Sequence, residues 1–163
     1  TRVVYSRKPA GFSQNGGILA YQDDDNYVKL VYGAGGGGRM GFGSMGGPGS
    51  VMLATEEDGY YKIIATLSMS GFIGDDNTLF LKLDKKGSLY TASVSADGKT
   101  FRQVGSASLM LKDISAGMMV CEGAMDPRFA RFGNMPGMQQ PAQPDSPFEV
   151  SFDYFRIRNR GLK

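Results

Sequence analysis

The sequence contains no histidine and no tryptophan, and it has one cysteine among 163 residues. Without histidine the chain lacks the commonest general base, the Ser-His and Cys-His nucleophile pairs, and the usual zinc ligand. These absences exclude most hydrolase mechanisms, although a pair of carboxylates could still act as acid and base. Cys121 has no partner for an internal disulfide, and its apolar neighbours predict a buried, inert thiol.

The sequence also lacks a large excess of charge of one sign, because its 18 basic residues nearly balance its 16 acidic ones and leave a net charge of +2. No run of five like charges occurs, which argues against nucleic acid as a partner. No apolar stretch approaches the length of about 18 residues that a membrane-spanning helix needs, so we expect no membrane span. The length predicts one domain over 1–163, and the start at Thr1, inside a predicted strand at 3–5, is interpreted as that of a fragment or processed module.

What the chain does contain is a period-2 alternation of β-branched and aromatic residues, interrupted at short intervals by Gly, Asp and Asn. No window has the spacing of an amphipathic helix. The pattern predicts an all-β chain of about nine further strands, at 18–22, 27–32, 51–56, 60–68, 79–83, 89–95, 100–104, 115–122 and 148–158. Short turns between them favour two antiparallel sheets packed face to face, as a β-sandwich or jelly roll.

The alternation also predicts which side chains face the core. One face of the strand at 27–32 carries Val28, Leu30 and Tyr32, and the other carries Tyr27, Lys29 and Val31. By the same rule, the core faces of two later strands consist of Leu79, Leu81 and Leu83, and of Tyr90, Ala92 and Val94. At Tyr154 and Phe155 the alternation slips, which predicts a bulge or a sheet corner.

Two long segments break this rhythm. Ten of the seventeen residues at 33–49 are glycine, and five of the seven prolines fall at 123–147. Loops of this length are usually either functional or disordered. They contain half of the methionines, whose flexible thioethers could adapt to a partner or cover a neighbouring sheet. Both interpretations, a binding role and local packing, are open.

Exposed aromatic rings with nearby polar groups are typical of sugar-binding sites, where a ring stacks on the apolar face of the sugar. The candidates are Tyr27, Arg39, Phe42, Tyr60, Tyr61, Phe80, Phe129 and Phe132. For each aromatic, cross-strand packing is the alternative. A metal ion such as a structural calcium could be held by Asp23, Asp24 and Asp25, although a solvated turn explains the same residues. Asp153 lies in an aromatic strand and needs a partner, either an ion or an arginine such as Arg156 or Arg158.

Several segments together resemble a known family. Residues 17–30, with GILAYQDDDNYVKL, resemble the signature hairpin of the C-terminal concanavalin A-like, or laminin-G-like, domain of glycoside hydrolase family 43 β-xylosidases and arabinofuranosidases. Further matching pieces follow in the expected order at 81–83, 90–105, 114–118 and 148–157. The resemblance covers most of the chain, but members of the family usually have further strands before the segment that matches 3–7, so the sandwich is expected to lack its N-terminal strands.

The resemblance implies a secreted or periplasmic sandwich that accompanies a catalytic glycosidase domain of the same protein. It would bind polysaccharide or oligosaccharide, or support the active site. The catalytic carboxylates of the family belong to a separate propeller domain, so no catalytic residue is carried over. Two alternatives from other classes are open. One is a structural or protein-interaction module that docks through its two long loops, and the other is a self-contained glycosidase.

Overall fold

The computed structural model describes residues 1–9, 14–33, 49–69, 76–122 and 147–158. The candidates Arg39, Phe42, Phe129 and Phe132 lie outside these ranges, as do the predicted long loops except for Gly33, Gly49 and Pro147. The described residues contain no helix and form ten strands, which confirms the all-β prediction. Accordingly, no helix among them is long and apolar enough to cross a membrane.

The ten strands form two antiparallel sheets of five. Sheet A has the order β10-β1-β6-β7-β8 and sheet B the order β5-β4-β3-β2-β9. The bounds are β1 Arg2–Tyr5, β2 Gln14–Asp23, β3 Asn26–Gly33, β4 Ser50–Glu57, β5 Tyr60–Ser68, β6 Thr78–Lys86, β7 Leu89–Ser95, β8 Arg102–Ser108, β9 Ser115–Glu122 and β10 Val150–Tyr154. Each predicted strand is present, but β10 ends at Tyr154, earlier than the predicted 158.

Short polar turns fix the register of the hairpins in sheet B. The β4–β5 turn consists of Asp58 and Gly59, both with positive φ (51° and 77°), a conformation that glycine adopts freely and aspartate tolerates. The amide of Asp58 donates to the Asn26 side chain at 3.1 Å, and that of Gly59 donates to the Asp25 carbonyl at 3.1 Å. The β2–β3 and β4–β5 turns are therefore tied together at one end of the sheet.

The core lies between the sheets and uses the faces that alternation predicts. The predicted inward side chains are fully buried or pack against the core. Tyr5 donates from its hydroxyl to the Gly16 carbonyl at 3.0 Å, and its ring meets that of Tyr32 edge-on, with centroids 4.9 Å apart. At β8 the sheets approach closely, because a Cβ added to Gly105 would lie 2.5 Å from the Cβ of Ala65.

The predicted irregularity near Tyr154 is a bulge at Asp153. Arg2 pairs with Tyr154 and Val3 with Phe152, so Asp153 is the extra residue of β10. The Arg2 guanidinium donates to the Asp153 carboxylate. Asp153 therefore has an arginine partner, but this is Arg2 rather than Arg156 or Arg158, because pairing with β1 places Arg2 beside Asp153.

Candidate functional site

The outer face of sheet B carries a row of polar and aromatic side chains that runs across its strands. Tyr21 pairs with Tyr27, Tyr27 with Glu56, and Glu56 with Tyr61, so one residue comes from each of β2, β3, β4 and β5. Three inter-strand spacings make the row about 14 Å long. We call Tyr21, Tyr27, Lys29, Glu56 and Tyr61 the tyrosine row.

Lys29 follows Tyr27 by two residues and therefore shares its face of β3. Its ammonium nitrogen lies 4.8 Å from the ring centroid of Tyr61 and 5.6 Å from that of Tyr27. Such distances allow cation–π attraction to both rings. Burial lowers the pKa of Lys29, while the nearby Glu56 carboxylate acts in the opposite direction. The row thus contains a half-buried cation between two phenol rings.

A hydrogen bond joins the rings to an acid. The Tyr27 hydroxyl donates to the Glu56 carboxylate. Burial, together with this hydrogen bond and the Glu56 charge, raises the pKa of Tyr27 well above its ordinary value. Burial and the same carboxylate raise the pKa of Tyr61 to about 12. Both phenols therefore stay protonated at neutral pH, and they can take part in hydrogen bonds as donors and acceptors.

The outer face of sheet B is exposed at the end that carries the tyrosine row and buried at the other end. The Tyr61 side chain is 48% exposed, whereas Val31, Met52 and Ala54 on the same face are buried. The buried residues lie toward Gly33 and Ser50, and the row lies toward the short hairpin turns. A ligand would therefore approach the sheet from the side of the Asp24–Asp25 and Asp58–Gly59 turns.

Other aromatic candidates lie elsewhere. Tyr60 is 82% exposed and, as the residue next to Tyr61 on β5, points to the opposite face. Phe80 lies on the outer face of sheet A, where its ring packs beneath the β7–β8 turn. A Cβ added to Gly98 would lie 2.8 Å from that ring. Only Tyr27 and Tyr61, among the described candidates, are brought together.

The aspartates of the β2–β3 turn hold the turn itself. Asp23 accepts hydrogen bonds from the Asp25 amide at 3.0 Å, the Asn26 side chain at 2.9 Å and the Gln22 side chain at 2.8 Å. These bonds lower the pKa of Asp23, with the Asn26 contribution the largest. Asp24 accepts from the Tyr21 hydroxyl at 2.7 Å. Among the described residues, no three His, Cys, Asp or Glu side chains are grouped so as to hold a metal ion.

Cys121 lies on β9 and is half-buried, so the prediction of a buried thiol was wrong. The reason is its position on an edge strand, which has one neighbouring strand, β2, within the described part of the chain. Cys121 pairs with Asn15, which in turn pairs with Gly33, so the thiol lies at the end of sheet B away from the tyrosine row.

The sequence did not single out Tyr21, Lys29 or Glu56 as site residues. Alternation placed Lys29 beside Tyr27, and the short turns predicted that β2 pairs with β3 and β4 with β5, but no short turn indicated that β3 pairs with β4. Glu56 is adjacent to Glu57 at the end of β4. Because consecutive residues of β4 point to opposite faces, these two carboxylates do not share a site.

Comparison with solved structures relates this fold to known proteins. A functionally unknown protein from Saccharomyces cerevisiae has a TM-score of 0.55 and 21% identity, over 74% of this chain and 56% of that one. The GH43 protein BlXynB from Bacillus licheniformis has a TM-score of 0.59 and 17% identity, over 76% of this chain and 24% of that one. A xylan β-1,4-xylosidase from Bacillus halodurans has a TM-score of 0.52 and 13% identity, over 73% of this chain and 23% of that one.

No protein-family model and no curated protein sequence matches the chain. The chain spans about half the length of the yeast protein and about a quarter of each Bacillus protein. At these identities the similarity shows the fold alone. The chain therefore has a two-sheet antiparallel β-sandwich of the kind found within GH43 glycoside hydrolases.

Proposed function

We propose that this chain is a non-catalytic β-sandwich module of a family 43-like glycoside hydrolase and that it binds plant-type polysaccharide, xylan or arabinan, on the tyrosine row. The observation that carries the proposal is the Lys29 ammonium, held between the rings of Tyr27 and Tyr61 beside Glu56. The fold shared with GH43 proteins supports the association with glycoside hydrolases.

The chemistry of the row suits a neutral sugar chain. The half-exposed Tyr61 ring offers a flat apolar surface to the C–H face of a sugar. The Lys29 ammonium donates hydrogen bonds only, the Glu56 carboxylate accepts only, and the tyrosine hydroxyls do both, so sugar hydroxyls find partners of either kind. A length of about 14 Å across four strands leaves room for more than one sugar unit.

The proposal includes a location and a partner. Polysaccharide lies outside the cytoplasm, so the module is expected to act in a secreted or periplasmic protein. The partner is a catalytic glycosidase domain of the same protein, which the sandwich would hold near its substrate. A supporting role without sugar binding is the alternative within the same class.

Affinity electrophoresis in gels containing xylan, arabinan or β-glucan tests the proposal. We expect retardation in at least one of these gels and its loss in Tyr61→Ala, because the substitution removes the stacking ring. Tyr60→Ala is the matched control, since the adjacent ring faces away from the row, and its retardation should equal that of the wild type. Unretarded wild-type chain in all three gels would contradict sugar binding, and an equal loss in both variants would place the site elsewhere.

A further inference from the structure

The four edge strands of the sandwich differ in how they discourage pairing with another chain. Charged side chains and bulges at a sheet edge are the usual protections. β5 carries Lys62, β8 carries Arg102 and β10 carries Asp153, and a register shift interrupts the pairing of each with its neighbour. These three edges are protected twice.

β9 differs from these edges, because its pairing has no register shift and its only charged residue, Glu122, is the last of the strand. Its eight residues pair with β2 without a register shift, from Gln14 opposite Glu122 to Tyr21 opposite Ser115. The sequence from Ser115 to Cys121, SAGMMVC, contains no charged residue and no proline. Within the described ranges, no strand occupies the other edge of β9. Among the described residues, the outward backbone donors and acceptors from Ser115 to Cys121 therefore form a regular, uncharged row with no strand beside it.

Apolar side chains accompany this open edge. Met118 and Val120 share the face of β9 that points toward sheet A, since they pair with Ile18 and Gly16. They are nevertheless 49% and 48% exposed. An added strand would bring cross-strand neighbours beside both side chains and remove part of this area from water.

We propose that β9 is a dimerisation edge, at which a second copy of this chain adds its own β9 in antiparallel orientation. A two-fold axis brings identical patches together, so any charge near the axis meets its own copy. The register shifts of β5, β8 and β10 would interrupt such a pairing, whereas β9 pairs regularly and has seven consecutive uncharged residues at 115–121. The net charge of +2 adds little repulsion between the copies.

The uncharged stretch also sets the register. It is centred on Met118, so an axis at this residue matches every member of the stretch with another member. Ala116 of one copy then lies opposite Val120 of the other, and Gly117 lies opposite Met119. The result is a continuous ten-stranded sheet made of two sheets B, and the eight-residue strands are about 27 Å long.

Sedimentation velocity of the wild-type chain and of charged variants tests this proposal. The wild type should have twice the 17.5 kDa mass of the chain. Met118→Lys places two cations near the axis and should weaken dimerisation by at least tenfold, about 1.4 kcal/mol. Ile63→Lys introduces the same charge at an exposed position on β5, the opposite edge of the sheet, and should remain dimeric.

A mixture separates loss of the interface from loss of the fold. Met118→Glu alone should be monomeric, but mixed with Met118→Lys it should form a heterodimer, because opposite charges then meet at the axis. Circular dichroism should show the wild-type β spectrum for both variants. A monomeric wild type, an open series of larger assemblies, a dimer that Met118→Lys leaves intact, or a mixture that stays monomeric would each overturn the proposal.

Discussion

Both outer faces of the sandwich place a lysine over an aromatic ring, but the two lysines have different surroundings. On sheet A, Lys82 lies 5.7 Å from the ring centroid of Phe101 and pairs with Asp84 at 2.7 Å, in side chains that are well exposed. On sheet B, Lys29 lies between two rings, next to a tyrosine–glutamate hydrogen bond, and burial lowers its pKa.

The difference shows which feature of an aromatic surface points to a ligand. An exposed ion pair such as Lys82–Asp84 contributes little free energy, since water solvates both charges and screens them. A half-buried ammonium flanked by phenols has given up part of its hydration, and its geometry is already set when a ligand arrives. Polar groups fixed in this way provide orientation and specificity in small-molecule sites.

The largest expected effect concerns the close packing between the two sheets. Gly105→Val should lower the free energy of unfolding by about 1–3 kcal/mol, because its Cβ would lie 2.5 Å from Ala65 and force the sheets apart. Ser106→Val, at the next and exposed position of β8, is the matched control. Urea denaturation measures both, and equal stability of the two variants would contradict close packing at Gly105.

Exchanging the two lysines for methionine compares the faces directly. Lys29→Met should weaken polysaccharide binding about tenfold, because it removes a cation and its hydrogen bonds from between the rings. Lys82→Met should leave binding unchanged. Affinity electrophoresis over a range of polysaccharide concentrations gives the dissociation constants, and a larger loss for Lys82→Met would move the site to sheet A.

Removing one hydroxyl tests the network on sheet B. Tyr27→Phe deletes the hydrogen bond to Glu56 and should cost about 1 kcal/mol of unfolding free energy. Tyr60→Phe removes a hydroxyl from a side chain that is largely in water, so thermal denaturation should show almost no change. Equal effects of the two substitutions would mean that the hydroxyl of Tyr27 adds nothing to stability.

The smallest effect concerns acid stability at the turns. Asp97 accepts backbone amides of Lys99 and Thr100, which lower its pKa from 3.8 to about 2. A lowered pKa gives stability that is complete above pH 3.8 and is lost as the pH falls through about 2. In Asp97→Asn, melting temperatures should fall less steeply across this window than in the wild type. Asp23→Asn should show a weaker change of the same kind at the β2–β3 turn of sheet B.

Alternation and turn residues predicted the fold because both act locally. The Asp58–Gly59 turn and the apolar face of Val28, Leu30 and Tyr32 can be recognised without knowing what they pack against. The site depends on contacts that are distant in sequence. The register that places Glu56 opposite Tyr27, 29 residues earlier in the chain, follows from the pairing of β3 with β4.

Two aromatic candidates show the same limit. Tyr60 and Tyr61 are adjacent, and the sequence alone did not distinguish which of them faces the row. Phe80 was correctly placed on the outer face of sheet A, but the covering of its ring by the Gly98 turn arises only when β7 and β8 pair. The sequence therefore predicted the face on which a side chain lies better than it predicted how exposed that side chain is.

An NMR titration of the chain with xylan and arabinan oligosaccharides, following backbone amides across both sheets, locates the sugar-binding surface directly. We expect the shifts to concentrate on sheet B at Tyr21, Tyr27, Lys29, Glu56 and Tyr61. Shifts confined to Phe80, Lys82 and Phe101 on sheet A, or no shifts with any oligosaccharide, would contradict sugar binding on the tyrosine row.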